Sequence, residues 1–389
     1  ATDIEAARIA DFAALIIAAL AELDTPLRHF FAACRSLSKS TSSNPGDRQL
    51  RITGAVRRQR EFETIESTWQ ALSPYLTVLA DKLSELGHVV GRIRLDSRED
   101  AEDLALSVLS SARTFGGVQQ QIQSLVAEPD ANAVYWVSIG SGEQPVSLFS
   151  APISVSALAR EGIWNERASV VLTSATLQTS DGFGYLAGRL GAEHMETSAI
   201  GSPFDYHNNT LLYLPNDLPD PSDRFRYQHA VEQAIIALSA ALNGRTMALF
   251  TSYQQLKQTA SAIAPRLALG NIAVLDQSDG TSRHAMLEQF KSAERAVLLG
   301  TRSFWEGVDI PGEALSALII VRLPFAVPNE PIVAARSETY SDGFMEYSLP
   351  EAVLRFRQGF GRLIRTASDR GIVLVLDGRI ISKRYGEAF

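Results

Sequence analysis

Apolar residues follow a helical period over the first part of the chain, from Asp3 to Leu37. They recur at steps of three and four residues, the spacing that places side chains on one face of a helix. Because Pro26 lacks the N–H that a continuing helix needs, the pattern predicts one helix on each side of it. The residues that define the first helical face are Ile9, Phe12, Ile16, Leu20 and Leu23.

Further helices are predicted after a loop. Residues Ser36 to Asp47 combine many serines with a Pro-Gly pair, so we expect a loop there and little order. The helical period then returns over three stretches, which run from Val56 to Leu72, from Tyr75 to Leu86 and from Arg98 to Leu125. The first third of the chain is therefore predicted to be mostly helical.

The apolar period changes from helical to alternating at Ala133. Two alternating runs, at residues 134–139 and 146–148, flank a Gly-Ser-Gly segment and predict a strand pair. From Ser169 onward, short β-branched runs alternate with helical stretches, which is typical of a parallel sheet covered by helices on both faces. The predicted strands are Val170 to Leu172, Thr246 to Phe250, Ile272 to Leu275, Ala296 to Leu299, Ala317 to Val321 and Ile372 to Leu376. The fold class is therefore α/β, with more than one domain in 389 residues.

Composition narrows the class of protein. A hydrophobic content of 46% and a charged content of 21% are ordinary for a globular protein. The most apolar early run, Phe12 to Leu20, is too short for a bilayer and has no basic leader, so neither a membrane span nor a signal peptide is expected. The single cysteine, Cys34, excludes an internal disulfide and favours a reducing cytoplasm, and the scattered histidines predict no metal site. The net charge of -8 argues against a uniformly basic coat but leaves room for a local basic groove.

Two hydroxyl-rich segments follow predicted strands. They are TSATL at residues 173–177 and FTSY at residues 250–253. The carboxyl ends of parallel strands are where open sheets bind ligands, and hydroxyls there can donate to a phosphate. Hydroxyls in such places also form turns and cap helices, so both interpretations stay open on the residues alone.

A glycine-rich segment, GTRSFWEGVDIPG, occupies residues 300–312. Its glycines let a backbone approach a ligand closely, and the Asp309 carboxylate can accept a hydrogen bond from a ribose hydroxyl. The neighbouring Phe304 and Trp305 either pack in a core or stack on bases, and the sequence favours neither alternative.

The fourth segment, QGFGRLIR at residues 358–365, lies in a predicted helix that begins near Pro350. Arg362 and Arg365 are one turn apart, so they are expected to project together. Two guanidiniums beside Gln358 suit a polyphosphate, because each offers forked donors and a permanent charge. A solvated helix face is the alternative, although apolar neighbours and a helix-weakening glycine disfavour it.

In this order the four segments resemble motifs III, IV, V and VI of superfamily 2 helicases of the XPD/DinG type. The resemblance is greatest to the bacterial DinG branch, which has a similar order of segments: SFWEGVDIPG, then RLPF at residues 322–325, then QGFGRLIR. The resemblance covers about residues 151–379, and the helices before it look like the arch insertion of that family. It implies a helical arch-like insertion at 1–132, a strand pair and return segment of the first motor domain at 133–177, and a RecA-like second motor domain at 178–389.

The elements that hold ATP in the first motor domain are not found in this sequence. It contains no Gly-Lys pair, hence no Walker A loop, and no Asp-Glu pair, hence no DEAH-type Walker B box. In the family these elements precede the arch, as do the cysteines of an iron-sulfur cluster present in many members. We therefore expect a C-terminal part of an ATP-dependent DNA helicase, inactive alone, whose whole protein uses ATP and Mg²⁺. The expected partners are single-stranded DNA and the missing first motor domain, the expected direction is 5′ to 3′ in repair or replication, and a monomer is expected.

The resemblance also implies a role for each candidate site residue. The residues that would couple nucleotide state to DNA grip are Ser174 and Thr176. Those that would contact DNA are Thr251, Ser252, Thr301, Arg302 and Trp305. Those that would touch the nucleotide are Glu306, Gly307 and Asp309. Those that would face the γ-phosphate are Gln358, Arg362 and Arg365.

Two other interpretations are weighed. The first is a stand-alone, non-catalytic module that binds DNA or a partner and derives from a helicase. An unrelated α/β enzyme would need its own catalytic set, but the sequence has no Gly-x-Ser-x-Gly elbow, no cysteine paired with a histidine and no dinucleotide fingerprint.

Overall fold

A computed structural model describes residues 2–37, 48–92, 98–140, 145–179, 182–277, 280–305, 310, 314–364, 366 and 369–389. The chain divides into two compact units, which are residues 1–154 with 329–335 and residues 155–328 with 336–389. None of the helices in the described ranges has both the length and the apolar character needed to cross a bilayer.

The first unit combines long helices with a small antiparallel sheet of order β1-β2-β3. Its helices are α1 (Thr2–Ser36), α2 (Gly54–Arg57), α3 (Arg60–Val90) and α4 (Arg98–Val126). Its strands are β1 (Arg48–Arg51), β2 (Ala133–Ile139) and β3 (Val146–Pro152). The predicted strand pair is confirmed, whereas β1 was missed because its sequence, RQLR, carries almost no apolar signal.

Two predicted breaks between helices, one at Pro26 and one between Leu72 and Tyr75, fall inside continuous helices. Helix α1 continues through Pro26 and α3 continues through Pro74, so the predicted breaks are wrong. A proline in a helix interior costs about 3 kcal/mol. Both halves of α1 pack on α3, because Ile16 clusters with Leu79 and the Phe30 ring lies 5.8 Å from the Trp69 ring. Burying several such side chains, at about 2 kcal/mol each, offsets the cost of the proline.

Of the other predictions for the first unit, one helix is confirmed and the serine-rich loop stays a prediction. Helix α4 matches its predicted range to within one residue. Most of the serine-rich segment, residues 38–47, lies outside the described residues, so its expected lack of order stays a prediction.

The second unit contains a six-stranded parallel sheet, which confirms the α/β fold class. The sheet order is β4-β9-β8-β5-β7-β6. Its strands are β4 (Thr210–Tyr213), β5 (Thr246–Leu249), β6 (Ala273–Asp276), β7 (Ala296–Gly300), β8 (Ala317–Ile320) and β9 (Gly371–Val375). Every residue of β5, β7 and β8 is buried, because helices cover both faces of the sheet.

The remaining helices lie between residues 156 and 382. In chain order they are α5 (Ser156–Ala159), α6 (Gly184–Leu190), α7 (Tyr206–Asn209), α8 (Arg224–Ala241), α9 (Tyr253–Ala268), α10 (Arg283–Ser292), α11 (Arg302–Trp305), α12 (Pro331–Ser337), which crosses the unit boundary, α13 (Leu349–Phe360) and α14 (Arg379–Ser382). A π-helical turn, Arg160–Trp164, extends α5, another, Phe344–Ser348, leads into α13, and a 3₁₀ turn, Arg384–Ala388, follows α14. Successive strand residues enter different cores: Leu298 packs with α10 and α13, and its neighbour Val297 packs with α8 and α9.

The predicted strand Val170 to Leu172 is wrong. The backbone there is irregular, and 86% of the surface of Val171 is exposed. Across the described ranges, no backbone hydrogen bond joins residues 169–174 to a strand. A short apolar run becomes a strand only where a neighbouring strand takes its backbone hydrogen bonds, and none does so here.

Candidate nucleotide and nucleic-acid site

Polar side chains converge at the carboxyl ends of the three adjacent strands β5, β7 and β6. Gln277 follows β6 directly, and its Oε1 accepts hydrogen bonds from the Thr301 N–H at 2.9 Å and from the Thr301 hydroxyl at 2.6 Å. The Tyr253 hydroxyl, after β5, donates to the Gln277 carbonyl at 3.3 Å. Thr301 was expected at this site from the sequence and Gln277 was not, although the position of Gln277 one residue after a strand is a signal for such a site.

The two hydroxyl residues after β5, Thr251 and Ser252, differ in their contacts. Ser252 caps α9, because its Oγ accepts a hydrogen bond from the Gln255 N–H at 3.3 Å. Thr251 is exposed. The capping interpretation therefore holds for Ser252, whose hydroxyl hydrogen can still be donated to another group.

The adjacent aromatic residues of α11 belong to the core. Phe304 is fully buried, and Trp305 is 3% exposed, with its indole N–H 3.3 Å from the Phe250 carbonyl. Stacking on a base needs an exposed ring face, so the expectation that Trp305 contacts DNA is corrected to a packing role. Arg302, at the start of the same short helix, is exposed.

Four of the candidate residues lie outside the described residues. They are Glu306, Gly307, Asp309 and Arg365. Their implied contacts with a nucleotide stay predictions.

The arginine at position 362 does not lie on a helix face. Helix α13 ends at Phe360 and Gly361 follows it, so the prediction of one helix carrying both arginines is wrong. Arg362 is 3% exposed, and the solvated-face alternative therefore does not hold for this residue. Gln358 Oε1 is buried and has no hydrogen-bond partner among the described residues. A buried acceptor of this kind fits a donor from outside the described residues, as a nucleotide or its bound water would supply.

Ser174 and Thr176 form a local turn. The Thr176 N–H donates to Ser174 Oγ at 3.2 Å, and Ser174 is exposed. The turn interpretation therefore holds on this geometry. Two residues further on, the Gln178 carbonyl accepts a hydrogen bond from Arg357 Nη1 at 2.7 Å, which joins this segment to α13.

A second connection between this region and α13 involves Tyr185, Arg189 and Glu351. Glu351 Oε1 accepts from the Tyr185 hydroxyl and from Arg189 Nη1, both at 2.8 Å. Burial raises the pKa of Tyr185 well above its usual range, and the Glu351 charge raises it further. Burial alone lowers the pKa of Arg189, but Tyr185 and Glu351 outweigh it and raise that pKa overall.

A buried carboxylate fixes the loops after β8 and β9. Asp377 is fully buried, pairs with Arg379 Nη2 at 2.6 Å and accepts from the Leu323 N–H at 2.9 Å. Burial raises its pKa, but the hydrogen bonds from Arg379 and Leu323 outweigh burial, so the pKa of Asp377 lies below its usual range. Among the residues that can be described, no three His, Cys, Asp or Glu side chains are arranged to hold a metal ion.

The chain is similar in sequence to known proteins. Residues 235–389 match the helicase C-terminal domain family. The chain is 34% identical over 291 residues to the 3'-5' exonuclease DinG of Bacillus subtilis, which is 71% of this chain and 31% of that protein. It is 33% identical over 292 residues to the ATP-dependent DNA helicase YoaA of Haemophilus influenzae, covering 72% and 44% of the two chains.

A third relative is the ATP-dependent DNA helicase YoaA of Escherichia coli, 38% identical over 261 residues, which are 66% of this chain and 40% of that protein. The matches thus span less than half the length of each relative. With its parallel sheet and these matches, the second unit is similar to the helicase C-terminal domain family, and the chain is similar over part of its length to DinG and YoaA proteins.

Proposed function

We propose that the whole protein containing this chain is an ATP-dependent DNA helicase that moves 5′ to 3′ along single-stranded DNA and acts in DNA repair or replication. The observation that carries the proposal is the convergence of Thr251, Gln277 and Thr301 at three neighbouring strand ends. Hydroxyl and amide groups at such an edge are suited to a phosphate backbone. The resemblance of the four ordered segments to helicase motifs supports the same function.

In this proposal the chain contributes most of one motor half. Residues 178–389 are the RecA-like second motor domain, residues 133–177 belong to the first motor domain, and residues 1–132 are an arch-like insertion. The exposed segment 169–174, which carries strand-like sequence without a strand partner among the described residues, supports the assignment of residues 133–177. ATP and Mg²⁺ would be held chiefly by the first motor domain.

The residues of this chain would act on the nucleotide from across a cleft. Arg362 and Arg365 would supply positive charge to the γ-phosphate, which arginine does well because its charge is permanent and its donors are forked. The buried Gln358 Oε1 has no partner among the described residues and can only accept a hydrogen bond, so it would contact a water bound beside the γ-phosphate and not a phosphate oxygen. Bound ATP supplies the phosphoryl group, and charge stabilisation of that kind is worth ~10³ to 10⁵ in turnover in related sites.

The links between the segment after Thr176 and α13 support a coupling role for Ser174 and Thr176. Gln178 and Arg189 both connect to α13, the helix that precedes Arg362. A change of position at Ser174 would therefore be transmitted towards Arg362 through two hydrogen-bonded contacts.

The test uses Arg362→Ala and Arg362→Lys in the full-length protein. If Arg362 meets the γ-phosphate, both variants should lose about 10²-fold or more in kcat for DNA-stimulated ATP hydrolysis, since a point charge replaces forked donors poorly. Single-turnover hydrolysis measures this effect. DNA affinity without nucleotide is the control and should stay near that of the unaltered protein, which also shows that the variants fold.

The isolated 389-residue chain should release no phosphate from ATP in the presence of DNA, because it contains no Walker A loop. Hydrolysis by the purified chain that Arg362→Ala abolishes would contradict this part of the proposal. A full-length protein that binds DNA without hydrolysing ATP would instead favour the non-catalytic module.

A further inference from the structure

The orientation of the Gln277 carboxamide follows from its contact with the Thr301 backbone. The Thr301 N–H can only donate, so the Gln277 atom 2.9 Å from it must be the oxygen, Oε1. The other terminal atom is therefore the nitrogen, Nε2, which lies 2.9 Å from Ser303 Oγ. The amide is thus held in one orientation.

Thr301 and Ser303 differ in whether the hydroxyl hydrogen remains available to a ligand. The Thr301 hydroxyl donates its only hydrogen to Gln277 Oε1 at 2.6 Å, so none is left for a ligand. Ser303 Oγ accepts from Gln277 Nε2, which leaves the Ser303 hydroxyl hydrogen for another acceptor. Nε2 carries a second hydrogen as well. In the described part of the chain, neither of these two hydrogens has an acceptor.

Positive charge stands beside these two donors. Arg283 Nη1 donates to the Ser303 carbonyl at 2.9 Å, which places a guanidinium against the same residue. Ser303 itself is exposed, so its hydroxyl is accessible to a ligand. Two accessible donors next to a guanidinium select an anion with several acceptor oxygens.

An aromatic side chain also contacts Gln277. The Tyr253 hydroxyl donates to the Gln277 carbonyl, and half of the Tyr253 surface, 50%, is exposed. Exposed aromatic rings beside phosphate-binding groups are how proteins hold single strands, because every base has a face that can stack. The combination points to a phosphodiester of single-stranded nucleic acid.

We propose that Gln277 Nε2 and Ser303 Oγ hold a backbone phosphate of single-stranded DNA, with Arg283 supplying charge. Thr301, which the sequence assigns to DNA, is on this account a positioning residue that fixes the Gln277 amide. The proposal rests on the proposed function, and it changes which side chains of this strand edge contact the DNA.

The test measures binding of a fluorescein-labelled oligothymidylate to the 389-residue chain by fluorescence anisotropy. Ser303→Ala removes one donor and should weaken binding about tenfold, the scale of a hydrogen bond to a charged group. Gln277→Glu keeps an oxygen for Thr301 but replaces the amide donor by a negative charge, so it should weaken binding by about tenfold or more. Gln233→Glu, at an exposed position of α8, is the control for added charge and should bind within about twofold of the unaltered chain.

Thr301→Val separates contact from positioning. It removes the hydroxyl but leaves the backbone bond to Gln277, so it should weaken binding less than Ser303→Ala does. Arg283→Ala should lower the slope of log affinity against log salt by about 0.7, the value for one phosphate contact on a single strand. Ser303→Ala, which removes no charge, should leave that slope unchanged.

The outcomes distinguish the proposed phosphate contacts of Gln277 and Ser303 from the proposed function. If the unaltered chain binds no single-stranded DNA, the DNA-binding part of the proposed function is contradicted. If the unaltered chain binds DNA and Ser303→Ala binds it equally well, the proposed phosphate contacts are wrong. They are also wrong if Thr301→Val weakens binding more than Ser303→Ala does, and in both cases the phosphate binds to other groups. Thermal unfolding followed by circular dichroism identifies any variant that loses DNA binding because it unfolds. If Ser303→Ala unfolds, Ser303→Gly provides a second measurement at the same position.

Discussion

Arg189 Nη1 lies 2.8 Å from Glu351 Oε1, and the two side chains are only 21% and 27% exposed. The pair joins α6 to α13, which are 162 residues apart along the chain at these positions. Because the Tyr185 hydroxyl donates to the same oxygen, one carboxylate organises two side chains of α6. Removing it leaves a half-buried guanidinium and a half-buried phenol without their acceptor.

We therefore expect Glu351→Ala to lower the free energy of unfolding by about 2 kcal/mol, the scale of a lost charged hydrogen bond. Urea unfolding followed by circular dichroism measures it. Glu288→Ala is the control, because its bond to Lys291 lies on an exposed helix surface and should contribute nothing measurable. Equal stability of both variants would show that the Arg189 pair contributes no more than a surface pair.

Substitution by alanine should change stability in opposite directions at two glycines, Gly300 and Gly188. A Cβ at Gly300 would lie 2.5 Å from Phe304, which is fully buried, whereas a Cβ at Gly188 in α6 would meet nothing within 4 Å. Gly300→Ala should destabilise the second unit by about 2 kcal/mol through overpacking. Gly188→Ala should stabilise it by up to about 1 kcal/mol, because alanine favours a helix interior over glycine. Thermal or urea unfolding of the two variants provides the comparison, and a stable Gly300→Ala protein would be evidence that Phe304 can move.

Asp377 should make stability depend on acid pH. Its folded pKa is lower than its unfolded pKa, so its contribution is present above the unfolded value, about 4. The contribution is lost as pH falls through the folded pKa. Asp377→Asn should cost roughly 2 kcal/mol at neutral pH, since Arg379 loses its partner, and should flatten the acid limb of a plot of stability against pH. Asp217→Asn, at an exposed position, should leave that limb unchanged.

The single thiol should report on the first unit. Burial raises the pKa of Cys34 to about 12, and its backbone hydrogen bond offsets burial only in part. The thiolate is the reactive form, so labelling by a thiol reagent at pH 8 should be at least ~10²-fold slower in the native chain than in denaturant. Because the folded pKa is raised, the contribution of Cys34 to stability is present below the unfolded value, about 9, and is lost as pH rises towards 12. Fast native labelling would mean that the first unit opens readily.

The buried parts of the sheet could be predicted from sequence, and its edges could not. Strands β5, β7 and β8 are continuous apolar runs, because both of their faces are covered, and their predicted bounds are correct to within one residue. Strand β4 is an edge strand with three exposed residues, so its sequence shows no equivalent pattern. At Val170 the local sequence suggests a strand, but strand formation depends on a neighbouring strand that no local pattern reveals.

For the candidate site, the sequence predicted the strand ends better than the contacts made there. The segments at Thr251 and Thr301 lie together as the rule for parallel sheets requires. The sequence could not show which hydroxyl keeps a hydrogen for a ligand, because this depends on a contact with Gln277, which is 24 residues from Thr301. The position of Arg362 likewise depends on the end of α13 at Phe360, and helix ends are the least certain part of a pattern-based prediction.

The exposed run at residues 169–174 has a consequence for handling the protein. Its backbone N–H and C=O groups make no ladder with any described strand, and Val171 and Leu172 are exposed beside them. Such a run is a template to which a second molecule can add a strand, so the purified chain should self-associate as its concentration rises. Val171→Lys should suppress this association by placing a charge where an added strand would lie, and light scattering across a concentration series would detect the difference.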